Sequence, residues 1–118
     1  MKENMKTLPF NGKDLPICFN LNVMEAIQKE YGTLDKWFSL TGGAADEDAE
    51  IDVHALLFGM REMLNEAGEI AAEKNNTEFK PYTHKQVGRI MTDVGLEKVL
   101  SSVQETVIES TQSNEKNG

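Results

Sequence analysis

The chain has 118 residues, 39% of them hydrophobic, which fits one domain with a single core and leaves little room for two. Its 12 Lys and Arg against 20 Asp and Glu give a net charge of −8, which disfavours nucleic acid and anionic membrane surfaces as partners. Residues 1–4, MKEN, lead into no apolar signal region, and no apolar run approaches the ~20 residues that cross a bilayer, so we expect a cytoplasmic protein.

Residues 5 to 20 predict a short β-hairpin. Asn11-Gly12 is typical of a tight hairpin turn, because both residue types readily adopt positive φ. Leu15, Ile17 and Phe19 follow at a spacing of two and would share one face. Because a two-stranded ribbon is only marginally stable alone, we expect it to lie on helices.

The first predicted helix begins near Asn22, which can form a capping pair with Glu25. Gly32 would end it in a left-handed conformation. The expected apolar stripe comprises Val23, Met24, Ile27 and Tyr31.

A second, short helix is predicted after Thr33, a candidate N-cap. Its apolar face comprises Leu34, Trp37 and Phe38. From Thr41 to Asp52 the chain turns to Gly, Ala, Asp and Glu with little to bury, which predicts a mobile acidic loop.

The longest predicted helix runs from about residue 52 to 73 and carries two apolar faces. The broad face comprises Val53, Leu56, Leu57, Met60, Met63, Leu64, Ala67, Ile70 and Ala71. The second strip, on nearly the opposite side, comprises Ile51, Ala55 and Phe58. Such a helix needs two neighbours, and either the fold supplies both or the Phe58 strip meets a partner.

Two more helices are predicted after a polar linker. Thr83 and Gln86 have the spacing of a capping box, and Gly95 separates the two helices. Their apolar stripes comprise Val87, Ile90, Met91 and Val94, then Leu96, Val99, Leu100, Val103 and Val107. The sequence thus predicts a mainly α fold of four to five helices with an N-terminal hairpin, as one domain over residues 1–109 with a flexible tail over 110–118.

The sequence contains no pattern typical of a metal, cofactor or catalytic site. His54, His84 and Cys18 lack the local spacing of zinc ligands, and Cys18 is more simply a small buried residue. The alternating acids from Asp46 to Asp52 resemble the start of a calcium loop, but the Gly and the closing Glu of that motif are missing. We therefore expect no enzymatic activity, no cofactor and no metal.

Protein binding remains as the expected activity. Methionine and aromatic side chains serve both cores and surfaces that accept irregular partners. From helical face geometry, the residues predicted to contact a partner are Trp37, Phe38, Phe58 and Met63.

Residues 24–37, MEAIQKEYGTLDKW, resemble the first block of tail assembly chaperones from long-tailed, siphovirus-like phages and prophages. The order of parts is also similar: an extended start, a helix ending at an aromatic-Gly-Thr step, a long central helix, and a late segment, YTHKQVG at residues 82–88. The resemblance covers roughly residues 15–108.

The resemblance implies a protein that binds the tape measure protein, recruits tail-tube subunits and is absent from the mature virion. Chaperones of this family often have a longer form made by ribosomal frameshifting, and residues 115–117, EKN, can be encoded with a slippery A-AAA-AAY heptamer. The sequence leaves other classes open: a structural tail or head-tail connector subunit, or a small host adaptor. It also leaves the oligomeric state open, homo-oligomers included.

Overall fold

A computed structural model of the chain describes residues 4–43 and 50–116. Over these residues it contains two antiparallel strands followed by five α-helices. The elements are β1 (Asn4–Phe10), β2 (Lys13–Phe19), α1 (Leu21–Tyr31), α2 (Leu34–Phe38), α3 (Val53–Asn75), α4 (His84–Val94) and α5 (Leu96–Lys116). The predicted mainly α fold with an N-terminal hairpin is confirmed.

The hairpin turns at Asn11 and Gly12, whose φ angles are 52° and 72°. Two positive φ angles match the right-handed twist of the strands, as the Asn-Gly pair predicts. β2 packs chiefly on α3, and β1 packs on α4 and α5. The alternation expected in β2 gives way near its end, where Ile17, Cys18 and Phe19 are all buried because both faces of the ribbon are covered there.

The cap of α1 differs from the prediction. Asn20, and not Asn22, is the N-cap, and its side-chain oxygen accepts hydrogen bonds from the amides of Asn22 and Val23 at 3.1 and 3.2 Å. At the other end, Gly32 has the positive φ that ends the helix, and Thr33 caps α2 as predicted.

The ends of the predicted acidic loop are ordered, which corrects its expected start and end. A turn over Ser39–Gly43 follows α2, with a positive φ of 93° at Gly42, and Thr41 is fully buried within it. The Asp52 amide donates to the Leu40 carbonyl at 2.9 Å, and the Gln104 side chain donates to the Gly42 carbonyl at 2.8 Å. The acidic segment over residues 44–49 lies outside the described residues.

Helix α3 forms the centre of the core, and the fold supplies neighbours for both of its apolar faces. Leu56, Met60, Met63, Leu64 and Ala67 are buried on the broad face. The opposite strip packs against α1 and α2, where Ala55 is buried and Ile51 and Phe58 are partly buried. The strip therefore has intramolecular neighbours, and Phe58 keeps part of its surface accessible.

Helix α5 extends beyond the predicted domain boundary. The capping box of Thr83 and Gln86 begins α4 as predicted, and Gly95 ends it with φ of 102°. α5 then continues to Lys116, and Ser110 is fully buried. The flexible tail predicted from residue 110 is therefore corrected: its first residue is in the packed helix, and residues 117–118 lie outside the described chain.

Candidate functional site

Two of the four predicted contact residues are core residues. Trp37 and Met63 have no exposed surface, and the Trp37 ring nitrogen donates a hydrogen bond of 2.8 Å to the Ala55 carbonyl. Because a fully covered side chain cannot touch a partner without opening the fold, the prediction for Trp37 and Met63 is corrected. Face geometry alone missed that α2 folds back onto the second strip of α3.

The other two predicted residues are partly buried and keep some accessible surface. The Phe58 ring meets the Tyr31 ring edge-on at 5.6 Å, and the Arg61 guanidinium lies 5.6 Å from its centroid. Phe38 borders a shallow groove of about 300 Å³ between α2 and α5, next to Ile108, which is 40% exposed. Their role in partner contact stays a prediction.

A more apolar groove of about 360 Å³ lies where α3, α4 and α5 meet. We call it the three-helix groove. From α3 it is lined by Val53, Leu56 and Leu57. From α4 and α5 it is lined by Gly88, Met91, Thr92, Leu96 and Val99.

Two glycines help to form the three-helix groove. Gly95 is the single residue between α4 and α5, and its positive φ, which L-residues rarely adopt, separates the two helices. Gly88 has no side chain and so leaves space in the lining of the groove. A Cβ built there would lie 3.6 Å from the Leu57 Cδ1 atom, which is an ordinary contact distance. The break between α4 and α5 at Gly95 and the missing side chain at Gly88 both contribute to the shape of the three-helix groove.

The three-helix groove has a buried floor and exposed apolar lips. Leu56, Met91 and Val99 in the floor are nearly inaccessible, whereas Val53 and Leu96 at the lips are 56% and 53% exposed. Sequence periodicity placed each lip residue on the apolar stripe of its helix, and both line the groove with buried members of those stripes. Periodicity did not indicate that they stay exposed, although each is the first residue of its helix.

Two histidines that are close in sequence to residues of the three-helix groove pack against each other. His54 follows Val53, and His84 is one turn before Gly88; their ring centroids are 4.8 Å apart. Burial, followed by the nearby charges of His54 and Arg61, lowers the pKa of His84 below its usual range. His84 is thereby biased towards the neutral imidazole.

Within residues 4–43 and 50–116, no three His, Cys, Asp or Glu side chains group in a way that could hold a metal ion. Asp46 and Asp48 of the calcium-like pattern lie outside the described residues. Asp52, its last acid, accepts from the Ala55 amide at 3.0 Å and caps α3. The three-helix groove therefore offers mainly apolar side chains for contact, and Asp52 acts as a helix cap.

Comparison with known proteins adds no relative. The chain matches no protein-family model, and it has no significant match among curated proteins or solved structures. Among the described helices, none combines the length and apolar character needed to span a bilayer.

Proposed function

We propose that the chain is a tail assembly chaperone of a long-tailed phage or prophage. In this role it binds the tape measure protein in the host cytoplasm, brings tail-tube subunits to it and is absent from the mature virion. The three-helix groove is its proposed contact surface.

The observation that carries the proposal is the apolar groove with two lips more than half exposed. Single exposed apolar residues are ordinary, but Val53 and Leu96 converge on one concave surface with an apolar floor. A long helical protein that displays apolar stripes before assembly needs such a surface on a companion protein. An apolar groove that accepts a helix is a recurrent solution to this need.

The resemblance to tail assembly chaperones supports the specific partner. Its first block, residues 24–37, comprises most of α1, the Gly32 step and the start of α2. Its late segment, residues 82–88, contains the α4 capping box and ends at Gly88 in the three-helix groove. The late segment therefore contributes one residue, Gly88, to the proposed contact surface.

The size of the groove favours reversible binding. About 360 Å³ is near the lower end of the ~300–1,000 Å³ typical of ligand pockets, so it accepts a few apolar side chains of a partner. A chaperone that tube subunits must displace needs a moderate affinity for its partner, because the competing subunits displace it by mass action.

Co-expression with the tape measure protein of the same genome tests the proposal. We expect the wild-type chain to increase the soluble fraction of the tape measure protein severalfold, measured by quantitative blotting after centrifugation. Leu96→Glu places a charge on a groove lip and should abolish most of this gain. Because Leu96 is 53% exposed, the substitution should leave the fold intact, which circular dichroism would check.

Leu21→Glu is the matched control, since Leu21 is also the first residue of a helix, is 64% exposed and does not line the three-helix groove. It should preserve the gain in solubility. A tape measure protein whose solubility is independent of the wild-type chain would contradict the proposal. Mass spectrometry of purified virions supplies the second check: abundant chain in the particle would indicate a structural tail subunit.

A further inference from the structure

The exposed side of α4 beside the three-helix groove is cationic, although the whole chain carries a net charge of −8. Lys85 and Arg89 are exposed and stand three residues before Gly88 and Thr92, which line the groove. Residues three apart are neighbours on a helix surface, so both cations flank the groove. The local charge here is opposite in sign to that of the molecule.

Acidic groups on the same helix do not cancel this charge. Asp93 is the one acid of α4, turned about 140° around the helix from Gly88. It is four residues after Arg89 and offsets that charge in part, whereas Lys85 has no acid three or four residues away on α4. On the adjoining α5, Glu97 is followed by Lys98, so that side of the groove is balanced. Asp52 keeps its charge, but it caps the N-terminus of α3, whose partial positive charge offsets it in part.

Arg61 on α3 adds to the cationic side. It stands four residues after Leu57, which lines the groove, so it lies on the same side of α3 one turn further along. Glu62 lies 3.7 Å from the Arg61 guanidinium and offsets it in part. The α3–α4 side therefore combines an apolar groove with a border of Lys85, Arg89 and Arg61.

We infer that the three-helix groove binds an amphipathic helical segment of the partner whose apolar stripe is bordered by acidic side chains. The inference rests on the proposed function, since it specifies which part of the partner is held. Apolar residues spaced three and four apart would enter between Val53 and Leu96. The acidic border of the segment would then meet Lys85 and Arg89, and this complementarity sets its orientation.

The overall charge of the chain makes the inference sharply testable. Long-range repulsion from a molecule of charge −8 should disfavour any acidic peptide, so a preference for one requires the local cationic border. Two synthetic helical peptides with the same leucine stripe serve as probes, one flanked by Glu and the other by Lys. Fluorescence anisotropy at low ionic strength measures binding of each to the full chain.

We expect the Glu-flanked peptide to bind about tenfold more tightly than the Lys-flanked one. The double substitution Lys85→Glu and Arg89→Glu should reverse this preference, and Leu96→Glu should weaken binding of both peptides. The matched control is Lys29→Glu with Lys74→Glu, which changes the net charge equally at exposed positions outside the groove lining. This control should retain the preference for the Glu-flanked peptide.

The inference would be overturned by equal binding of the two peptides or by tighter binding of the Lys-flanked peptide. An unchanged preference in the Lys85→Glu, Arg89→Glu variant would also overturn it. Self-association of the pure chain that Leu96→Glu abolishes, measured by analytical ultracentrifugation, would assign the groove to a second copy and also overturn it. Failure of the proposed function is distinguishable, because the tape measure protein would then stay insoluble with the wild-type chain while the peptide preference persists.

Discussion

One glycine in the core packs against a tryptophan ring too closely to accept a side chain. Gly59 is fully enclosed in α3, and a Cβ built there would overlap the Trp37 ring. The ring cannot easily retreat, because it has no exposed surface and donates to the Ala55 carbonyl. Gly59 and Trp37 are 22 positions apart in the sequence, so no local pattern predicts that this glycine is needed for packing.

We predict that Gly59→Ala lowers the free energy of unfolding by about 1–3 kcal/mol, the range for overpacking a core, despite the better helix propensity of Ala. Urea denaturation followed by circular dichroism measures the loss. Gly88→Ala is the matched control: it has 3.6 Å of clearance to Leu57 and should be neutral or stabilising by up to ~1 kcal/mol. A Gly59→Ala protein as stable as the wild type would show that the helices can separate at no cost.

At the scale of elements, cap residues determine where most helices begin. Thr33, Asp52 and Thr83 each accept a hydrogen bond from an amide two or three residues into the helix that follows. Thr33 and Thr83 are predictable as caps from the sequence, because Ser, Thr, Asp and Asn satisfy the free amides of a first turn. For α1 the sequence favoured Asn22, since Glu25 stands three residues later.

A contact with α3 helps to explain why Asn20 is the N-cap of α1. The Glu66 carboxylate on α3 accepts from the side-chain amides of Asn20 at 2.6 Å and Asn22 at 2.9 Å. Asn20 is 8% exposed, so its cap bonds and its bond to Glu66 are shielded from water. A partner 46 positions away cannot be seen in the local sequence.

We predict that Asn20→Ala lowers the free energy of unfolding by about 1 kcal/mol or more, because α1 loses its cap and Glu66 loses a donor. Asn22→Ala should cost less than ~0.5 kcal/mol, since it removes an exposed bond and adds a good helix former. Thermal unfolding of both variants by differential scanning calorimetry compares them. If Asn22→Ala is the more damaging of the two, the assignment of Asn20 as the cap is wrong.

At the scale of the whole molecule, the hairpin is attached to the helices by apolar burial and by a surface ion pair. Leu8 of β1 is fully buried in the shared core. Lys6, also in β1, lies 2.6 Å from Glu109 and 3.7 Å from Glu105 on α5. The hydrogen bond to Glu109 raises the pKa of Lys6. Exposed ion pairs contribute little to stability, so we expect Leu8 to dominate the attachment.

We predict that Leu8→Ala lowers the free energy of unfolding by about 2–5 kcal/mol, the range for emptying a buried leucine site. Lys6→Ala, on the same strand, should shift the urea midpoint far less. Equilibrium unfolding in urea at low and high salt measures both, and salt should abolish most of the small Lys6→Ala effect. A comparable loss for the two variants would mean that electrostatics holds the hairpin in place.

The sequence alone determined the features that depend on neighbours within a turn or two of chain. These are the Asn11-Gly12 hairpin, the Thr83 capping box, the glycines that end α1 and α4, and the stripes of α3, because φ preferences, free amides and helical periodicity are local properties.

Tertiary structure alone decided which apolar side chains are covered. The broad outline of the core was predictable, but Trp37 and Met63 became core while Val53 and Leu96 became groove lips. Coverage of a side chain depends on which remote element packs over it, and periodicity contains no information on that choice.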